Sequence, residues 1–169
     1  MNKKLRILGI DPGIATIGWG VIESHQKEPE LLEFGCIETC KGKAAVERLE
    51  EIAVDLKEII KKFEPDEIAV EELFFFKNAK TVIGVAQARG VLLLTCGQQG
   101  VATFEYTPLQ IKQALTGYGR ADKSQVQWMM KEILGLGTIP RPDDAADALA
   151  VAACHLQSRK LKLIKHLSQ

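Results

Sequence analysis

No stretch of this chain approaches the about 18 to 20 continuous apolar residues that cross a bilayer. A signal-peptide pattern is also missing, because Asn2, Lys3, Lys4 and Arg6 lead straight into a short strand-like run. The four cysteines, Cys36, Cys40, Cys96 and Cys154, form no CxxC pair and read as reduced thiols in a cytoplasmic protein. There is no GxSxG, no HExxH and no P-loop, so no nucleophile triad, zinc-protease or Walker-type site is signalled. Repeats, low-complexity segments and interdomain linkers are absent. Net charge is zero, which argues against a generic nucleic-acid binder.

What is present is more specific. A chain of 169 residues suits one domain with a real core. The charge is unevenly placed: residues 21–72 carry seven basic and fifteen acidic groups, and residues 73–169 twelve basic and six acidic. Three of those six acids are Asp143, Asp144 and Asp147. A metal site would absorb them and leave a basic surface suited to an anionic partner.

Hydrophobic spacing predicts strands over 5–10, 17–23 and 31–38, joined by short links as an antiparallel meander. An amphipathic helix is expected over 44–63, where Leu49, Ile52, Leu56, Ile59, Ile60 and Phe63 keep three-and-four spacing. Pro65 stops it. A strand at 67–71, a helix at 78–96 and a strand at 101–106 follow. Helices are expected at 108–115, 122–134 and 143–158, then a partly disordered basic tail over 159–169. The order is that of an α/β fold with a mixed sheet covered by helices.

Four acids sit where apolar side chains should be buried. Asp11 ends the run from Leu5 to Ile10 and precedes Pro12 and Gly13. Glu71 ends Ile68-Ala69-Val70, and Asp144 and Asp147 share a face at the start of an alanine-rich helix. Asp143 and Asp147 share one too. Each acid alone has an ordinary explanation: Asp-Pro-Gly is a common turn, and acids favour helix N-termini. Together they terminate three core elements, and buried charges must be paired or bound to a cation. A divalent-metal site is the expectation. Gly18 and Gly20, farther along, would let the chain approach another backbone or a phosphate.

The segments ILGIDPG (7–13), AVEELF (69–74), KNA (77–79), QARG (87–90), KSQVQ (123–127) and DAADALA (144–150) occur in an order and spacing that resembles the RuvC-type Holliday junction resolvases. The resemblance covers nearly the whole chain. It implies an RNase H-like fold, a five-stranded mixed sheet flanked by helices on both faces, within a single nuclease domain over 1–158. It also implies that Asp11, Glu71, Asp144 and Asp147 hold two Mg²⁺ ions, with Mn²⁺ as a substitute, and that Asp143 stands outside that quartet as a helix-start or supporting acid. Lys123 would assist at the cleaved phosphate, and Lys112 would engage DNA. Arg120 and Lys77 are further candidate DNA contacts.

Three consecutive aromatics, Phe74, Phe75 and Phe76, cannot all face inward from one strand. Core packing is one reading. The other is a wedge that stacks on unpaired bases; the resemblance points to Phe74, with Phe75 as the alternative. The helix at 78–96 is apolar on more than one face, which suits burial by a second subunit. The implied partners are four-way junction DNA, a second copy of the chain and the RuvA–RuvB branch-migration complex. His25, His155 and His166 receive no catalytic role; His155 is expected to be a helix-surface or structural residue. Three rivals remain at this point: an actin-like ATPase or sugar kinase, an inert junction-binding scaffold, and a ribonuclease cutting RNA–DNA hybrids. The first lacks a second phosphate loop, the intact quartet argues against the second, and the third leaves the basic second half unexplained.

Overall fold

The computed structural model describes residues 4–25, 28–73 and 79–166. In chain order the elements are β1 (Leu5–Asp11), β2 (Thr16–His25), β3 (Glu28–Glu38), α1 (Ala45–Phe63), β4 (Glu67–Glu71), α2 (Ala79–Gln98), β5 (Ala102–Tyr106), α3 (Pro108–Thr116), α4 (Lys123–Ile133) and α5 (Asp143–His166). The five strands form one sheet in the order β3-β2-β1-β4-β5. The first three pair antiparallel, as the meander predicts, and β1, β4 and β5 run parallel. Parallel pairing needs crossovers, and α1 and α2 supply them.

Two cores flank the sheet, and strand alternation sorts the side chains between them. Leu8 and Ile10 of β1, Ile17 and Val21 of β2, and Ile68 and Val70 of β4 face α1 and α2, against Ile52, Leu56, Ala88 and Leu92. Ile7, Ile22 and Ala69 face the other way, against α3, α4 and α5. The same alternation puts Gly9, Asp11, Glu67 and Glu71 on the α5 side.

α5 lies unusually close to the sheet. A Cβ on Gly9 would fall 2.1 Å from the Ala148 carbonyl oxygen, and one on Gly18 would fall 1.9 Å from that of Asp144. No side chain fits at either position. The helix meets this surface with buried Ala145, Ala148 and Ala152, so small residues on both partners allow the contact.

The structure departs from the sequence reading in two places. The β2–β3 pair extends through residues expected to be a polar link, with Ser24 opposite Pro29 and His25 opposite Glu28. Apolar alternation fails there because the start of β3 lies at the sheet edge, where Glu28 and Glu30 are exposed. The last helix runs to His166 and not to about 158. Residues 159–166 contain no glycine or proline to stop it, and Arg159 is held within it by Glu67.

Candidate active site

The acidic side chains are brought together by strand register and by the glycine contact. Ile10 pairs with Val70 in parallel register, so Asp11 and Glu71 are the next residues along adjacent strands. Asp11 is opposite Gly18 on its other flank. Because Gly18 lies under the Asp144 backbone, the first turn of α5 is set down beside Asp11. The charges of both Asp144 and Asp147 are felt at Asp11.

The electrostatics are those of a crowded anionic cluster. Burial, followed by the Glu71 charge and a hydrogen bond to Glu71, holds the Asp11 carboxyl well above the usual range. Burial also raises Glu71, which accepts the hydrogen bond from Asp11 and is eased by the Lys112 and Lys123 charges. Asp147 is raised mainly by burial, against the pull of Lys123. Like charges in a shared site cannot all ionise at ordinary pH without a cation.

Lys123 is the first residue of α4. Asp122 caps that helix, its carboxylate accepting from the Gln125 N–H at 2.9 Å. From this anchored position the Lys123 ammonium reaches Asp147 at 2.9 Å and Asp143 at 3.3 Å. Asp143, set aside by the sequence reading, is thus tied to the site through Lys123. It also pairs with Arg141 and accepts from Gln127. Its position four residues before Asp147 was the available signal. Gln127 and Asp122, both in or beside KSQVQ, were not singled out as supporting residues.

Among the described residues, no three acid, histidine or cysteine side chains are gathered to hold a metal ion as they stand. Asp11 is turned to Glu71, and Asp147 to Lys123. The donor set nonetheless fits a hard divalent cation: oxygen ligands only, on converging elements, with an excess of negative charge that a cation would relieve.

Lys112, on α3, is close enough to influence Glu71. Arg120 is exposed on the loop before α4, without a hydrogen bond or ion pair to the acids among the described residues. Phe74, Phe75, Phe76 and Lys77 lie outside the described residues. A groove of about 610 Å³ lined by Tyr118, Ser124, Gln125 and Trp128 shares no lining residue with the acidic cluster. His155 is fully buried in the α5 core, which leaves the structural one of its two expected readings.

Residues 7–155 match the family described as crossover junction endodeoxyribonuclease RuvC. A protein of that description from Caldicellulosiruptor saccharolyticus is 54% identical over 155 residues, covering 91% of this chain and 93% of its own. The Thermus thermophilus RuvC structure in complex with Holliday junction substrate superposes with a TM-score of 0.88 at 36% identity, covering 94% of this chain and 96% of that one. The yeast mitochondrial Holliday junction resolvase Ydc2 shares the fold, with a TM-score of 0.69 at 13% identity over 96% of this chain and 82% of that one. The five-stranded mixed sheet with its flanking helices is accordingly an RNase H-like fold.

Proposed function

Because this chain belongs to the RuvC family of crossover junction endodeoxyribonucleases, we propose that its acidic cluster is the hydrolytic centre of a metal-dependent Holliday junction resolvase acting in recombination and repair. The observation that carries this reading is the convergence of Asp11, Glu71, Asp144 and Asp147 on the sheet end where β1 and β4 stop. An inert scaffold leaves such a cluster without a use, and the ATPase and ribonuclease readings have no counterpart in the family match.

On this reading the four carboxylates hold two Mg²⁺ ions, with Mn²⁺ able to substitute. Held by these carboxylates, such ions would supply Lewis-acid chemistry, favouring ionisation of a water and charge build-up on the leaving oxygen. Water attacks phosphorus, the bond to the 3′ oxygen breaks, and the ends are a 5′-phosphate and a 3′-hydroxyl. Lys123, paired with Asp147 in this structure, would neutralise charge on the phosphate when a cation is held by the acids. Lys112 stands beside Glu71 and contacts the DNA backbone. Arg120 and Lys77 add salt-dependent phosphate contacts.

The wedge at the junction centre is assigned to Phe74, with Phe75 as its alternate. Phe74→Ala should slow cleavage of a fully paired junction and spare one whose centre is already unpaired. Equal rates on the two would return Phe74 to a packing role, and the same result for Phe75→Ala would remove the wedge altogether.

A homodimer through α2 supports paired nicking of two strands of like polarity, since a two-fold axis matches the junction's own approximate symmetry. Ala88, Leu92 and Cys96 of that helix are buried, while Ile83 and Leu94 are exposed, at 71% and 61%. Those exposed apolar residues are the natural contact for a second copy. The RuvA–RuvB branch-migration complex is the proposed upstream partner, on family grounds. Among the described residues no helix is long and apolar enough to cross a membrane, and a chromosome-processing role suits the cytoplasm.

One assay tests the whole reading. The purified protein is incubated with a synthetic four-way junction, a linear duplex and an RNA–DNA hybrid, each with Mg²⁺ or EDTA. Symmetrical nicks in the junction with Mg²⁺ alone are expected. Faster cutting of the hybrid, or cutting in EDTA, would sink the proposal.

A further inference from the structure

A second polar cluster lies in the α5 core, away from the acids that the proposed mechanism uses. Glu67, at the start of β4, accepts from His155 Nε2 at 2.7 Å. It also accepts both arms of Arg159, each at 2.7 Å. Burial works to raise the Glu67 carboxyl, but the hydrogen bonds from Arg159 and His155 prevail and hold it below the usual range. His155 is fully buried. Its Nδ1 lies 2.7 Å from the Tyr106 hydroxyl, and its ring stacks near Phe104 at 4.7 Å between centroids. Both ring nitrogens of His155 are thus engaged, Nε2 with the Glu67 carboxylate and Nδ1 with the Tyr106 hydroxyl.

The placement of this cluster relates it to the proposed metal site. Glu67 and Glu71 are four residues apart on one face of β4. Asp144 and His155 are eleven residues apart on α5, close to three helical turns, and so look to the same side. The two spans are similar, about 13 Å along the strand and about 16 Å along the helix. Strand and helix are therefore two rails joined at both ends. At one end the rung is a bonded ion cluster, Glu67 with His155 and Arg159. At the other it is Glu71 facing Asp144 and Asp147, carboxylates that repel one another and cannot fix their own spacing. Tyr106 braces the frame diagonally: its backbone is in register with Glu71, while its hydroxyl reaches His155.

We infer that Glu67, His155, Tyr106 and Arg159 form a clamp that sets the position of α5 along β4 and thereby the spacing of Glu71 from Asp144 and Asp147. They are positioning residues for divalent-cation binding, and the inference rests on the proposed metal role of those acids. A helix packed on glycine and alanine has few interlocking side chains to stop it sliding, so the clamp supplies the stop. Groups bonded directly to metal ligands commonly contribute 10- to 100-fold in metal affinity, and the clamp, acting at one remove, is expected at the lower end of about tenfold.

The test uses Tyr106→Phe, which deletes one hydroxyl, and Glu67→Gln, which keeps the shape and removes the charge. Mn²⁺ binding to the DNA-free full chain is measured by calorimetry, and junction affinity is measured in EDTA. Both variants should bind Mn²⁺ about tenfold more weakly and need about tenfold more Mg²⁺ for half-maximal cleavage. The rate at saturating Mg²⁺ and the junction affinity in EDTA should stay near wild type. Ile52→Val, which loosens the core on the opposite side of the sheet, should lower the melting temperature without moving the Mn²⁺ affinity. Wild-type Mn²⁺ binding in Tyr106→Phe, or an equal shift in Ile52→Val, would overturn the clamp even if Glu67→Gln does not fold. Wild-type protein that binds no Mn²⁺ would instead overturn the metal-site reading, and the clamp with it.

Discussion

Asp11→Asn should abolish junction cleavage, leave junction binding in EDTA intact and raise the melting temperature. The first effect follows from charge. Asparagine has one carbonyl oxygen and a hydrogen-bond donor where a cation needs an anion, so the loss of transition-state stabilisation should be several kcal/mol, about a thousandfold in rate. The third effect follows from the state of the cluster without a cation. Asp11 is held well above the ordinary carboxylate range by burial and by the Glu71, Asp147 and Asp144 charges. Its folded pKa exceeds its unfolded one, so its ionisation opposes folding increasingly as pH rises through that window. A neutral amide removes that penalty at neutral pH. Single-turnover cleavage, a gel shift and a melting curve measure the three effects. A variant that still cuts would remove Asp11 from the hydrolytic centre, and one that melts lower would show that the repulsion is already relieved by other means.

Gly18→Ala should be among the most damaging single-methyl changes in the described structure. The new carbon would overlap the Asp144 carbonyl oxygen at 1.9 Å and the Ala145 nitrogen at 3.0 Å. Both atoms are helix backbone and cannot rotate away, so the first turn of α5 must lift from the sheet. A cost of about 3 kcal/mol is expected, the upper end for overpacking. Because that turn carries Asp144 and Asp147, any protein that still folds should also lose metal-dependent cutting. Gly20→Ala is the comparison, since its new Cβ would meet chiefly the Leu149 side chain, which can repack. Equal melting temperatures for the two variants would show that α5 tolerates displacement at Gly18.

Much of this arrangement was readable from the sequence because its elements are regular. The three-and-four spacing of Ile52, Leu56 and Ile60 marked α1, and Pro65 marked its end. The acids were conspicuous because Asp11 and Glu71 finish apolar strands. Their convergence was less accessible: which strands lie side by side is a matter of topology, and β4 joins β1 only through the crossover by α1. The bottom-up reading reached a metal site and an anionic partner, and the resemblance supplied the junction. Gly9 passed unremarked since a glycine inside a strand announces a close approach without saying to what. His155 and Glu67 were the hardest to see. They are 88 residues apart, and nothing in the local pattern of either distinguishes a buried hydrogen-bonded pair from two surface polar residues. The last helix outruns its expected end because charge alone does not stop a helix, and Arg159 pairs with a buried carboxylate.

The long outer strand β3 has a consequence for assembly. Edge strands expose unpaired backbone groups that invite pairing with another copy. Here the exposed start of β3 carries Glu28, Pro29 and Glu30, with Glu33 farther along, and its register against β2 shifts between Val21 and Ile22, passing over Leu32. Proline withholds a donor, like charges repel a matching strand, and the irregularity disturbs the edge. Fibre-like growth by strand addition is discouraged on this side of the sheet, even when copies are crowded along DNA.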